Sequence, residues 1–151
     1  MSQSPVDANT VLVPVDGSDE SVTAIEYGVA VADKYGADVH ALYVLGEDVT
    51  RALETGAVEK DDVVVDTESF IDTARGIAEQ YDVAFSNSIA YGFSTHRKTQ
   101  HPGSAVLDSA DELDADFIVI PREPLTGEPG EVLEKAAEYV LLYASQPVLS
   151  V

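Results

Sequence analysis

The chain has 151 residues, 45% of them hydrophobic, so it is long enough to bury the core of one domain and too apolar for a disordered tail. Its formal net charge is −20, from 28 acidic and 8 basic residues, which disfavours a nucleic-acid partner because phosphate binding requires cations. It has no cysteine, no run of 18 apolar residues and no basic, apolar leader, which predicts a cytoplasmic protein without disulfides, Cys-bound metal or a membrane span.

The acidic residues are spread along the whole chain and are not gathered in a tail. One interpretation is adaptation to a salt-loaded cytoplasm, in which screening shortens the range of charge repulsion. The other is a cation-binding face. Acidic residues in every predicted helix, together with few lysines, favour the first interpretation, a halophilic protein.

Strand and helix patterns alternate along the chain after a lead-in at 1–9 that is expected to be disordered. Ser18 is the expected N-cap of the first helix, and Gly36 is its expected C-terminal stop. The predicted strands cover 10–15, 39–45, 83–91, 117–120 and 147–151, and the predicted helices cover 19–35, 64–80, 103–113 and 131–144. The connections include a loop or partly helical segment at 46–62, a loop at 92–101, and a segment rich in proline and glycine at 121–130.

Apolar spacing indicates which residues face the core. In the third helix it predicts that Ala105, Val106, Ala110 and Leu113 lie inside. In the second strand His40 alternates with apolar residues, which predicts a structural role for this side chain.

Five strands alternating with four helices predict an α/β domain at 10–151 with a doubly wound parallel sheet of strand order 3-2-1-4-5. Ligands of such sheets bind outside the carboxyl ends of the strands. Asp16, in the polar turn after the first strand, lies at such an end. Its side chain either caps its own turn or contacts a ligand.

Motifs for catalysis are missing from the sequence: there is no Gly-x-Ser-x-Gly elbow, no Gly-x-x-x-x-Gly-Lys-Ser/Thr loop and no His-Glu-x-x-His. A receiver domain would need an aspartate at the end of the third strand and a lysine at the end of the last. The third strand instead runs into Ala90-Tyr-Gly-Phe93, and the chain ends at Val151. The sequence therefore predicts a binding or regulatory module, with no catalytic residue.

A basic cluster lies in the loop after the third strand. It contains His96, Arg97, Lys98 and His101. This segment is either a solvated loop or a site for an anion or an acidic partner. No Asp, Glu or Cys is interleaved with the histidines, so no metal site is predicted.

Four segments, in the right order and spacing, resemble the universal stress protein family. They run from Val11 to Ser18, from Gly36 to Val44, from Asp114 to Ile120 and from Ala137 to Val151. The resemblance covers nearly the whole chain except about 46–62 and 93–101. It implies a Rossmann-like three-layer sandwich of the adenine nucleotide alpha hydrolase-like type, and a UspA-like regulatory module of the stress response. The acidic composition is typical of a haloarchaeal-type member.

The resemblance also implies a nucleotide site. In ATP-binding members an aspartate in the opening turn and a valine ending the second strand hold the adenosine. The matching residues here are Asp16 and Val44, with Pro14 and Val15 in the strand before the turn. The phosphates of those members lie on a Gly-x-x-Gly loop that is followed by a Gly-Ser or Gly-Thr pair, because glycines let backbone N–H groups approach the phosphates.

The phosphate loop departs from this pattern. Ungapped alignment places Pro124 and Gly127 at the two loop glycines, and Glu134 and Lys135 at the closing pair. Proline has no N–H to donate, and a glutamate repels phosphate. A literal Gly127-Glu-Pro-Gly130 lies three residues out of register.

Two functions therefore remain open. The first is a regulatory module without tight ATP binding. The second is an adenine-nucleotide sensor for ATP or AMP with Mg²⁺, and slow ATPase activity would require this second function. Lys135 and Arg122 either hold a phosphate by charge or neutralise nearby glutamates.

The last predicted strand indicates that the chain pairs with a second copy of itself. Val148, Leu149, Ser150 and Val151 form a bare apolar edge, which favours pairing with a second copy. Family members commonly pair through this strand, so the resemblance implies a homodimer, in addition to an unidentified protein partner.

Overall fold

The computed structural model describes residues 8–45, 52–91, 102–121 and 131–151. The elements, in chain order, are β1 (Thr10–Val15), α1 (Asp19–Tyr35), β2 (Asp38–Leu45), α2 (Lys60–Gln80), β3 (Phe85–Tyr91), α3 (Pro102–Glu112), β4 (Phe117–Ile120), α4 (Glu131–Tyr143) and β5 (Val148–Ser150). A single helical turn covers 52–55.

The five strands form one parallel sheet in the order β3-β2-β1-β4-β5, which confirms the predicted topology. The central strand β1 pairs with β2 along its whole length, from Thr10↔Asp38 to Val15↔Tyr43. Its pairing with β4 is much shorter and consists of Val11↔Phe117 and Leu12↔Ile118.

Each face of the sheet carries its own hydrophobic core, so the domain has three layers. Residues of α1 and α2 pack on one face against Val11, Val13 and Val15. Residues of α3 and α4 pack on the other face with Leu12 and Ile118. Because alternate residues of a strand point to opposite faces, β1 is buried on both sides, as a central parallel strand must be.

Helix α1 begins and ends where its capping residues predict. The Ser18 side chain accepts a hydrogen bond from the Ser21 N–H, and Gly36 adopts a left-handed φ of 67° while its N–H bonds the Ala32 carbonyl. The helix lies close to β1 at Gly28, where an added Cβ would stand 2.6 Å from Cγ2 of Val13.

Helix α2 begins at Lys60, four residues before the predicted start at 64. Asp61 and Asp62 occupy its first turn, where carboxylates interact favourably with the positive end of the helix dipole. Both side chains are exposed. The apolar periodicity therefore does not reveal this turn. Part of the 46–62 segment is helix, in agreement with the partly helical alternative predicted for it.

Two other predictions differ from the structure, namely the start of β3 and the burial of Leu113. Strand β3 begins at Phe85 because the Val83 N–H bonds the Ala78 carbonyl at 3.0 Å and closes the end of α2 instead. Leu113 was expected inside, but it is 37% exposed. The reason is that α3 ends at Glu112 and the chain turns through Asp114, whose φ is 52°.

The packed domain starts slightly before the predicted boundary at residue 10. Ala8 is 2% exposed, and the Asn9 N–H donates to Oδ2 of Asp116 at 2.8 Å. The rest of the expected lead-in, at 1–7, lies outside the described residues, as do 46–51, 92–101 and 122–130.

His40 joins β2 to β3 inside the sheet. Its side chain is 7% exposed, with Nδ1 2.7 Å from the Ser86 hydroxyl and Nε2 2.7 Å from the Ser88 hydroxyl. Burial lowers the pKa of the imidazole below its usual 6.5. The structural role predicted for His40 agrees with these contacts.

Substitution at Gly28 tests the contact between α1 and β1. Gly28→Ala is expected to lower the free energy of unfolding by about 1–3 kcal/mol, because the added methyl meets the stiff, buried Val13 side chain. The matched control is Gly76→Ala in α2, where an added Cβ has no neighbour within 4 Å and helix propensity should stabilise the protein by about 1 kcal/mol. Urea unfolding at fixed salt measures both, and equal stability of the two variants would contradict the contact.

His40 is expected to make stability depend on pH. Between its lowered folded pKa and 6.5 the unfolded chain binds more protons, so the free energy of unfolding falls as pH falls through this interval. The slope contributed by one such group approaches about 1.4 kcal/mol per pH unit. Unfolding curves from pH 7.5 to 5 should therefore be steeper in pH for the wild type than for His40→Gln. Parallel curves would show that His40 does not titrate differently on folding.

Candidate functional site

The β1–β4 ladder ends before the carboxyl end of β1, and the place between the carboxyl ends of these two strands defines the crevice. Thr10 accepts a hydrogen bond from the Asp116 N–H, so the backbone groups of Thr10, and of every second residue after it, point towards β4. The next bond after Leu12↔Ile118 would need an N–H at residue 14, which is proline. Pro14 therefore explains why the β1–β4 ladder stops. This is also the point where the strand order reverses, which is where ligands of open α/β sheets bind.

The Asp16 turn, from Asp16 to Ser18, follows β1 at this crevice. Oδ1 of Asp16 accepts from the Ser18 N–H at 3.0 Å and from the Ser21 hydroxyl at 2.8 Å. The Asp16 N–H in turn donates to the Ser21 hydroxyl oxygen at 2.9 Å. Ser21 is fully buried. These bonds fix the carboxylate in one orientation and include the self-capping contact, one of the two alternatives that the sequence leaves open.

The second carboxylate oxygen of Asp16 has a different environment. Oδ2 is buried and has no hydrogen-bond partner among the described residues. A buried acceptor without a partner is costly, since it gives up its hydration with no replacement. The oxygen is therefore available to a donor that is not part of the described chain.

Tyr43, at the end of β2, contacts the same turn from the side. Its hydroxyl donates to the Asp16 carbonyl at 3.2 Å. Burial raises the pKa of this phenol, and the carboxylates of Asp16 and Asp66 raise it further. The hydroxyl thus keeps its proton and remains a donor at neutral pH.

The predicted adenosine residues lie at the same end of the sheet, but not all on one face. The parallel register that pairs Val15 with Tyr43 places Asp16 level with Val44. Val44 is 1% exposed and belongs to the core on the α3–α4 side, the face that alternation also assigns to Pro14. Val15 belongs to the core on the opposite side. Pro14 and Val44 are thus assigned to one face of the sheet and Val15 to the other, while Asp16 follows β1 at the same end of the sheet.

The rest of the predicted site is outside the structural description. Gly127 and the basic cluster with His96, Arg97 and Lys98 lie outside the described residues. Lys135 is in the first turns of α4, with no description of its side chain. These assignments therefore stay predictions.

Ser21 and Tyr43 contact Asp16 but were not predicted as site residues. A serine three residues after an N-cap is a common helix residue, and nothing in the sequence marks its bond to Asp16. Tyr43 gives a weak signal, since it is a large polar-tipped residue directly before Val44 at the carboxyl end of a buried strand.

Neither a metal-binding cluster nor a membrane-spanning helix occurs among the described residues. In 8–45, 52–91, 102–121 and 131–151, no group of three His, Asp or Glu side chains is arranged to hold a metal ion. No helix within those ranges has the length and hydropathy needed to cross a membrane.

Known proteins resemble this chain over nearly its whole length. The model of the universal stress protein family matches residues 8–151. The chain is 25% identical over 146 residues to universal stress protein MJ0531 of Methanocaldococcus jannaschii, covering 93% of this chain and 80% of that protein.

Two solved structures share the fold and hold nucleotides. A universal stress protein in complex with cAMP superposes with a TM-score of 0.65 at 20% identity, covering 97% of this chain and 98% of the other. The universal stress protein of Archaeoglobus fulgidus in complex with dAMP gives a TM-score of 0.64 at 22% identity, with 96% and 98% covered.

The fold is that of a Rossmann-like α/β protein with a five-stranded parallel sheet. The match over residues 8–151 shows that the chain belongs to the universal stress protein family.

Proposed function

We propose that this chain is a regulatory module of the stress response that binds the adenosine part of a nucleotide weakly at Asp16 and does not bind ATP tightly. The observation that carries the proposal is the buried Oδ2 of Asp16, which has no hydrogen-bond partner in the part of the chain that the structure describes. An amino group or a hydroxyl of a nucleoside would supply the missing donor. Relatives of the same fold in complex with cAMP and dAMP support a nucleoside of the adenine class.

Two features of the sequence support weak phosphate binding. Pro124 and Glu134 stand where ATP-binding members have glycines, which removes an N–H donor and adds a negative charge. The net charge of −20 adds a general repulsion of anions, although salt screens it. ATP, with its larger negative charge, should therefore bind no better than AMP.

The second candidate is a sensor for ATP with Mg²⁺. Lys135 and Gly127 are the residues that would contact the phosphates in that case. It predicts the opposite order of affinities, with MgATP bound more tightly than AMP. Slow ATPase activity would require this second function, and the proposed module is otherwise not an enzyme.

Calorimetric titration of the protein with AMP, and separately with MgATP, tests the proposal. We expect Asp16→Ala to weaken AMP binding about 10- to 100-fold, the equivalent of about 1.5–3 kcal/mol for a hydrogen bond to a charged group. The matched control is Asp19→Ala, an exposed carboxylate in the first turn of α1. Titration at about 1 M KCl, where the Debye length is about 3 Å, suppresses non-specific repulsion.

Three outcomes separate the candidates. AMP binding that is lost in Asp16→Ala and kept in Asp19→Ala supports the proposed module. Tighter binding of MgATP than of AMP supports the sensor instead. An absence of heat and of thermal stabilisation with adenosine, AMP and MgATP alike overturns adenine-nucleotide binding by this chain.

We further propose that two copies pair through the outer edge of β5. No strand lies on that side of β5 within the described residues. Next to it, at the end of α4, Leu141, Leu142 and Tyr143 are 53%, 73% and 65% exposed. Residues 139–151 carry no charged side chain. In a protein of net charge −20, an uncharged apolar edge is where two copies meet with the least repulsion.

A proline at position 150 tests this edge. The Val151 N–H bonds the Ile120 carbonyl, so alternation points the N–H groups of Val148 and Ser150 outwards. Ser150→Pro removes one outward donor without removing a bond to β4, and it should convert the dimer to a monomer. Ser150→Ala, which keeps the N–H, is the control. Light scattering after size exclusion measures the mass, and a dimer that persists in a folded Ser150→Pro variant would rule out pairing through β5.

Adaptation to high salt is also part of the proposal. With 8 basic residues for 28 acidic ones, most carboxylates cannot have a basic partner of their own. Their mutual repulsion then depends on screening by ions. A cytoplasmic location and the absence of a nucleic-acid partner stay predictions from composition.

A further inference from the structure

We propose that Tyr43 is a positioning residue that links helix α2 to the Asp16 turn, so that the position of α2 sets how well the site receives its ligand. The effect on a ligand depends on the adenosine binding proposed above. The link itself rests on contacts within the unliganded chain, and it can be tested without a ligand.

The first contact is with the main chain of the turn. The Tyr43 hydroxyl donates to the Asp16 carbonyl at 3.2 Å across the β1–β2 ladder. Ser18 and Ser21 hold the Asp16 side chain from the direction of α1, as described above. Tyr43 holds its backbone from strand β2. The position of Oδ2 depends on both.

The second contact is with Gly17. This glycine has a φ of 87°, and a Cβ added to it would stand 2.5 Å from the Tyr43 hydroxyl oxygen. Only a residue without a side chain leaves room for the phenol to reach the turn in this conformation. Tyr43 therefore packs directly against the backbone of the Asp16 turn.

The third contact reaches α2. The rings of Tyr43 and Phe70 meet edge to face, with centroids 5.9 Å apart and planes inclined by 73°. Asp66, one helical turn before Phe70, is close enough to act electrostatically on the phenol. A shift of α2 would move the Tyr43 ring through Phe70 and alter the hydrogen bond to Asp16, because the ring is held between the two.

The geometry gives the link a direction. Phe70 and Tyr43 lie in the core on the α1–α2 side, whereas Val44 lies in the core on the other face of the sheet. A partner that contacts α2 would thus act on the Asp16 turn through Phe70 and Tyr43, from the face opposite Val44. That arrangement suits a module that reports ligand binding to a protein partner.

Three variants test the link. Tyr43→Phe removes the hydroxyl and keeps the ring contact with Phe70. Phe70→Leu removes the ring contact and keeps the hydroxyl. Tyr27→Phe is the control, because Tyr27 is 50% exposed on α1.

The first measurement is amide hydrogen exchange of Ser18 in the protein without ligand, since its N–H bonds Oδ1 of Asp16. The second is AMP affinity, measured by calorimetry at 25 °C. Only variants that unfold cooperatively above 25 °C are compared, because these are folded during the titration. We expect exchange at Ser18 to be about tenfold faster, and AMP binding about fivefold weaker, in Tyr43→Phe. Phe70→Leu should change both in the same direction by less, and Tyr27→Phe should change neither.

A purely structural role for Tyr43 predicts a different result. It would lower the melting temperature of Tyr43→Phe but leave exchange at Ser18 and AMP affinity at their wild-type values, and that result overturns the proposal. Wild-type values for Phe70→Leu in both measurements overturn the part that involves α2. If the wild type binds no AMP, the proposed function fails, and the exchange data alone then decide the link between Tyr43 and the turn.

Discussion

The two unequal ladders of β1 determine where this protein can hold a ligand. On one side β1 pairs with β2 over its full length, so the position of Tyr43 and Val44 relative to the Asp16 turn is fixed by register. On the other side the pairing with β4 stops after Leu12, because Pro14 has no N–H to continue it. The strand is thus rigidly aligned on one side and open on the other.

Asp16 shows how one carboxylate can serve both structure and binding. The sequence alone leaves a choice between a side chain that caps its own turn and one that contacts a ligand. In the structure the two oxygens differ, since Oδ1 makes the turn contacts and Oδ2 has no partner among the described residues. The cap holds the carboxylate still, and the free oxygen is therefore pre-organised for a donor.

Serine hydroxyls satisfy the main buried polar groups of the described chain. The Ser21 hydroxyl donates to Oδ1 of Asp16, and the Ser86 and Ser88 hydroxyls flank His40. A hydroxyl can donate or accept, so it matches a carboxylate and either tautomer of an imidazole without adding charge. This choice fits a chain with few cations, in which a lysine or arginine is seldom available as a buried partner. The acidic residues instead remain largely on the exposed surfaces of the helices.

Apolar periodicity located the strands and helices, and their alternation along the chain predicted the strand order. Ser18 and Gly36 predicted the two caps and the extent of α1, because capping acts over a few neighbouring residues. Such local patterns also placed Asp16 at the carboxyl end of β1. They did not find the first turn of α2, which is polar and exposed, or the exposure of Leu113 after α3. Gly127, Lys135 and the basic cluster stay predictions from the sequence.

Only the tertiary structure decided that Tyr43 meets Asp16, that His40 meets Ser86 and Ser88, and that Val15 and Val44 face opposite ways. These contacts join residues on different strands, and their partners are set by the register of the sheet, which no local pattern encodes.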